Sequence, residues 1–148
     1  MKVECNEEGI EKTSQIIKEG GIVVFPTDTV YGIGCNPYNE NSVKKIYEIK
    51  SREKIKSLPV LAYSIDIVKK IGVIDELTHR IIQKNWPGPL TLILELKDQK
   101  LKKSLNLQNK IAVRIPDSEC TLKLLEKCEL IVGTSANISG NASYTDPN

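Results

Sequence analysis

Residues 21–34 read Gly-Ile-Val-Val-Phe-Pro-Thr-Asp-Thr-Val-Tyr-Gly-Ile-Gly, and the fold class turns on how they divide. Ile22, Val23, Val24 and Phe25 are β-branched or aromatic, which predicts a strand buried on both faces. Pro26 ends the ladder, because it brings no N–H to a neighbouring strand. Thr27, Asp28 and Thr29 then place three small oxygen-bearing side chains at the strand exit. In an open α/β sheet, ligands bind outside the carboxyl ends of strands. The same hydroxyls can instead serve a turn by bonding its own backbone. Both readings stand on local pattern.

Working outward, Glu7 to Lys18 carries Ile10, Ile16 and Ile17 among charges, a weak amphipathic helix stopped by Gly20-Gly21. Beyond the central strand, Asn39 to Ser42 offers N-caps for a helix with Val43, Ile46 and Tyr47 on one face. Leu58 to Tyr63 reads as a strand. Short helices are expected at Ile65–Lys70 and Asp75–Lys84, the second placing Leu77, Ile81 and Ile82 on one stripe and His79 toward solvent. Trp86-Pro87-Gly88-Pro89 breaks that helix, and Leu90 to Leu96 is a strand. Lys97 to Asn109 is a charged excursion with little pattern. Ile111 to Ile115 is a strand closed by Pro116. Asp117 or Ser118 caps a helix with Leu122, Leu124 and Leu125 inward, and Leu130-Ile131-Val132 opens into Thr134 to Gly140. This alternation predicts an α/β domain built on a largely covered, mixed sheet.

A length of 148 residues allows one domain with a proper core. One Trp and one Phe argue against a stacking surface for single-stranded nucleic acid. A net charge of +2 does not declare a nucleic-acid binder, though it permits a local basic patch. Cys5, Cys35, Cys120 and Cys128 are scattered, without a CxxC pair or a His cluster, so no zinc site is expected. Reduced, partly buried thiols in a cytoplasmic protein are expected instead. No basic-then-apolar leader opens the sequence and no apolar run reaches membrane-spanning length.

Two strand exits share one chemistry: Thr27 and Thr29 at the first, then Thr134, Ser135, Asn137 and Ser139 at the last, with Ser143 following. Hydroxyls, amides and free backbone N–H groups suit a polyanion where no metal cage is present. Neither GxxxxGK[ST] nor GxGxxG occurs, so the P-loop and Rossmann fingerprints do not apply. Lys50, Arg52, Lys54 and Lys56 supply cations. In an extended segment all four would line one edge, whereas most charge runs are solvated loops. Arg114 interrupts an apolar strand, and a guanidinium there needs an anionic partner or a route to water. A structural carboxylate and an anionic ligand both satisfy that need.

These motifs resemble those of the YrdC family, the threonylcarbamoyl-AMP synthases. The resemblance rests on Phe25-Pro-Thr-Asp-Thr-Val-Tyr-Gly-Ile-Gly34, Lys50-Ser51-Arg52 with Lys56, Trp86-Pro-Gly-Pro-Leu-Thr91, Ile111-Ala-Val-Arg-Ile-Pro116 and Thr134-Ser-Ala-Asn-Ile-Ser-Gly140, in the family's order. It implies a twisted mixed α/β sheet flanked by helices, with a concave basic groove, as one YrdC-like domain over 1–148 that stops short of the family's C-terminal portion. It further implies a nucleotidyltransferase that joins L-threonine, bicarbonate or CO2 and ATP into threonylcarbamoyl-AMP and pyrophosphate. Partner transfer proteins would then carry the group to a tRNA adenosine, and Mg2+ would accompany ATP.

By the same resemblance, Lys50 and Arg52 are the catalytic cations. Arg52, Lys56, Ser135, Asn137 and Ser143 hold ATP, and Thr27 and Arg114 hold threonine, with no protein metal site and no membrane. Three positions depart from the family pattern: Glu53 and Ser57 replace prolines, and Leu61 stands where many members carry His. A rival reading is a non-catalytic relative that binds nucleotide, tRNA or double-stranded RNA in the same groove. Another is a carbamoyl-adenylate domain of the hydrogenase-maturation kind, disfavoured because those domains sit in much longer chains.

Overall fold

The computed structural model describes residues 1–148. Its elements are α1 (Glu7–Lys18), β1 (Val23–Phe25), β2 (Gly32–Gly34), α2 (Glu40–Lys50), β3 (Val60–Ala62), α3 (Ile65–Ile71) and α4 (Glu76–Asn85). They continue with β4 (Leu92–Glu95), α5 (Gln99–Ser104), β5 (Lys110–Arg114), α6 (Glu119–Cys128), β6 (Leu130–Val132) and β7 (Thr134–Ser135). Helix starts follow side-chain chemistry: Asn6, Asn39 and Asp75 each accept a backbone N–H of the first turn. Gly20, at φ +86°, turns the chain out of α1 in a conformation that favours glycine.

The strands form a mixed α/β arrangement divided into two sheets. One is antiparallel, in the order β1-β2-β7; the other runs β4-β5-β3-β6, with β3 and β5 parallel. A single run of chain joins them, since β6 pairs with β3 and, after Gly133, β7 pairs with β2. The Val132 N–H donates to the Cys35 carbonyl (2.9 Å) and the Gly133 N–H to that of Pro59 (3.0 Å), so the seam is hydrogen-bonded through. Glycine is required there. A Cβ on Gly34 would overlap the Val132 carbonyl oxygen, and one on Gly133 would overlap the Leu61 side chain.

The main core is a cluster of 19 buried residues, with Val60, Val113 and Val132 from the larger sheet and Ile46, Val68 and Leu101 from α2, α3 and α5. A second cluster of 8 packs Ile10 and Ile17 of α1 on Leu124 and Leu125 of α6, over Val23 and Phe25. Fully burying each such side chain contributes about 1.5–3 kcal/mol.

Several expectations are corrected. Val24 is 58% exposed, because β1 is the edge of an antiparallel sheet covered on one face at that point. Of the expected α4 stripe, Ile82 is buried and Ile81 half-buried, but Leu77 lies outside. Lys97 to Asn109 contains α5, started by Asp98, which accepts the N–H groups of Lys100 (2.9 Å) and Leu101 (3.0 Å). Six residues are too few for periodicity to declare themselves. Lys50 to Ser57 is not extended: Lys50 ends α2, Ser51 is left-handed, and the Lys56 N–H closes a turn on Glu53. Cys5 and Cys120 are joined as a disulfide; only Cys35 and Cys128 are free thiols.

Candidate functional site

The connection from β1 to β2 carries Thr27, Asp28 and Thr29. The Thr27 hydroxyl accepts the Thr29 N–H (3.1 Å) and donates to the Val30 carbonyl, so it serves its own turn. Arg114, at the end of β5, reaches this loop with two of its guanidinium nitrogens and the turn before β4 with the third. Its Nε donates to the Gly88 carbonyl (2.9 Å), Nη1 lies 3.4 Å from the Thr29 hydroxyl, and Nη2 pairs with the Asp28 carboxylate. The Arg114 and Asp28 side chains are only 13% and 15% exposed. The anionic partner that a strand-borne guanidinium demands is therefore Asp28. Behind the loop, the Thr121 hydroxyl donates to the Pro26 carbonyl, tying α6 to the strand exit.

Lys50 is 2% exposed, yet no carboxylate pairs with it. Its ammonium donates to the carbonyls of Ser135 and Asn137, and its own carbonyl accepts the Ser139 N–H (2.8 Å). Burial, and secondarily the charge of Arg52, holds the Lys50 pKa below the usual lysine value. Arg52 spends Nε and Nη2 on the carbonyls of Lys56 (3.1 Å) and Ser57 (3.0 Å), which leaves Nη1 unengaged. Lys56 stands in solvent beside Glu53 at 3.5 Å, and Ser143 is exposed. Asn137 uses its amide on the carbonyls of Ile138 and Asn141, while its Oδ1 and the Ser139 hydroxyl are covered without a partner.

Sheet register brings these two groups to one edge. Phe25 pairs with Gly32, and Gly32 with Ser135, so the Thr27 and Ser135 loops leave the two strands that flank β2, about two strand spacings apart, roughly 10 Å. The Ala136 N–H donates to the Tyr31 carbonyl (2.8 Å) between them. Two neighbouring cations without a carboxylate, beside carbonyl-rich and amide-rich loops, leave a field that suits a polyanion. Lys50, Arg52, Ser135 and Asn137 thus meet on one side, and Thr27 and Arg114 on the other. Lys56 and Ser143 lie outside these contacts. Sequence reasoning missed Asp28 as the Arg114 partner, the Gly88 carbonyl and Thr121. An acid among hydroxyls at a buried strand exit was the one visible sign of the first; nothing local marks the other two.

A family model for Sua5, YciO and YrdC, described as telomere recombination, matches residues 15–148. The chain belongs to the Sua5/YciO/YrdC family. Within it, a threonylcarbamoyl-AMP synthase of Pyrococcus abyssi is 40% identical over 131 residues, covering 87% of this chain and 38% of that protein. A putative threonylcarbamoyl-AMP synthase of Methanocaldococcus jannaschii is 38% identical over 146 residues, covering 96% of this chain and 69% of its own length. The crystal structure of Pyrococcus abyssi Sua5 complexed with L-threonine superposes with a TM-score of 0.88 at 36% identity, covering 98% of this chain and 43% of that one. The chain thus spans about two fifths of the Pyrococcus relative. No helix of this family member is long and apolar enough to cross a membrane.

Proposed function

We propose that this chain makes threonylcarbamoyl-AMP for tRNA modification. The amine of L-threonine takes up CO2 to give a carbamate and a proton, or bicarbonate to give the carbamate and water. A carbamate oxygen then attacks the α-phosphorus of ATP, and pyrophosphate leaves, which makes the protein a nucleotidyltransferase. No covalent intermediate with the protein is required, so catalysis is positioning and charge neutralisation. The free Nη1 of Arg52 and the Lys56 ammonium take the phosphates. Lys50 acts by fixing the Ser135–Asn137 loop, whose groups cradle the nucleotide with Ser143. Arg114 receives the threonine carboxylate as a fork, and Thr27 orders the loop around it.

The observation that carries this reading is the buried, carboxylate-free Lys50 bonded into the Ser135–Asn137 loop, one sheet edge away from Arg114. The synthase names of its relatives and the threonine-bound Sua5 support the choice of substrates. Magnesium would come with ATP, held by phosphate oxygens and water, because no three His, Cys, Asp or Glu side chains converge here to cage it. Transfer proteins that deliver the group to tRNA would be its partners, and the cytoplasm its setting.

A second reading, a nucleotide- or RNA-binding relative without the chemistry, is favoured by one contact: Asp28 already occupies the guanidinium that would hold threonine. One experiment separates the two. With radiolabelled bicarbonate, threonine, ATP and magnesium, synthesis yields a labelled, threonine-dependent adenylate and pyrophosphate. ATP or RNA binding without either product would establish the second reading.

A further inference from the structure

The cysteines take no part in the proposed reaction, yet two of them connect a loose segment to the back of the site. Cys5 is exposed in the stretch ahead of α1, and Cys120 is half-buried in the first turn of α6. Met1 to Cys5 makes no backbone hydrogen bond. Besides the disulfide, the segment is held by the Lys2 ammonium on the Asn148 side chain (2.8 Å), by the Asn6 amide on the Glu4 carboxylate (3.3 Å) and by close approach of the Glu4 carbonyl to Gly9, where a Cβ would overlap it. The segment walls a largely apolar cleft of about 610 Å3, opposite Val24 and Pro26 of the β1 edge and Thr13 of α1. The neighbours of Cys120 face the same way: the Thr121 hydroxyl donates to the Pro26 carbonyl, and that of Ser118 lies 3.5 Å from it. Pro26 leads directly into Thr27, Asp28 and Thr29.

We propose that the Cys5–Cys120 disulfide is a thiol-exchangeable latch. A small thiol of the glutathione class opens it, frees the Met1–Cys5 strap from the cleft and loosens the grip of α6 on the Thr27–Thr29 loop. In the exchange, a thiolate attacks the exposed Cys5 sulfur, forming a mixed disulfide and expelling the Cys120 thiolate, which takes up a proton. A second thiolate attacks the mixed disulfide, releasing Cys5 as a thiol and the small thiol as its own disulfide. Two electrons pass from the small thiols to the protein, and oxidised glutathione reverses both steps. The latch rests on the placement of Cys5, Cys120 and Pro26 and stands whether or not the chain makes threonylcarbamoyl-AMP.

The test uses the full chain equilibrated with oxidised or reduced glutathione, then alkylated under denaturing conditions. The oxidised form is expected to take two labels, on Cys35 and Cys128, and the reduced form four. Hydrogen–deuterium exchange is then compared for peptides over 26–31 and 118–124, with the β3 and β5 peptides as internal reference. On reduction the first two are expected to exchange about tenfold faster, the reference staying unchanged, as for a local opening. The Cys5→Ser variant should show the faster pattern in both buffers. Four labels in oxidised glutathione, or no change in exchange at 26–31 and 118–124, overturns the latch. An equal rise in the β3 and β5 peptides overturns it too, because the bond would then be a general brace.

Discussion

Two side chains decide how the site works, Lys50 and Arg114, and both are already engaged by groups of the chain itself. The Lys50 ammonium is spent on the carbonyls of Ser135 and Asn137, so its contribution is the shape of that loop. Lys50→Met keeps the apolar stem but orphans two carbonyls, and leaving such groups unsatisfied costs about 1–3 kcal/mol each when they are buried. A lower urea midpoint together with weaker ATP binding is expected, whereas ATP affinity lost at unchanged stability would mean that Lys50 touches the nucleotide directly. At Arg114 the issue is competition. A threonine carboxylate that takes the guanidinium must displace Asp28 or share the fork with it. Asp28→Ala is expected to tighten threonine binding by about tenfold, the order of one charge-assisted contact, with ATP binding unchanged in calorimetric titration. Weaker threonine binding would show that Asp28 builds the site. Arg114→Ala is expected to weaken threonine binding more than ATP binding.

At the scale of elements, the parts legible in the sequence are those whose pattern is local. Glu7–Lys18, with Asn6 before it and Gly20 after, needs only periodicity and caps, and it is observed over those residues. The hidden parts depend on contacts distant in sequence. β2 reads Gly-Ile-Gly, a poor strand by composition, and it exists because Gly32 lies under the Phe25 ring and Gly34 under the Val132 carbonyl. The candidate site divides the same way. Ser135, Asn137 and Arg114 are visible as polar groups at strand ends, but their partners Lys50, Asp28 and Gly88 become neighbours only through tertiary pairing, Gly88 through the β4–β5 ladder. Gly34→Ala tests that seam: its methyl would overlap backbone that cannot yield as a side-chain tip could. A loss of about 1–3 kcal/mol or more in chemical denaturation is expected from such overpacking. A neutral result would mean that the β2–β6 approach is free to open.

For the molecule as a whole, the seam ties two cores into one hydrogen-bonded body, and Cys35 reports on it. Its carbonyl accepts the Val132 N–H, and its side chain is completely buried in the larger cluster. Burial pushes the Cys35 thiol from its ordinary 9.0 up to about 12. The native chain therefore keeps this proton over a range in which the unfolded chain has released it. Protons bound to the native state exceed those on the unfolded state, so stability present below pH 9 is lost as pH rises toward 12, by at most about 1.4 kcal/mol per pH unit. Urea midpoints measured from pH 8 to 11 in a Cys5→Ser, Cys120→Ser background, where no disulfide can reshuffle, isolate the effect. Adding Cys35→Ala lowers stability at pH 8, where the native side chain still fills its place, and is expected to flatten the alkaline decline, so the two curves converge as pH rises. Parallel curves would mean that the thiol reaches solvent before the molecule unfolds, and that the seam opens independently of the two cores it joins.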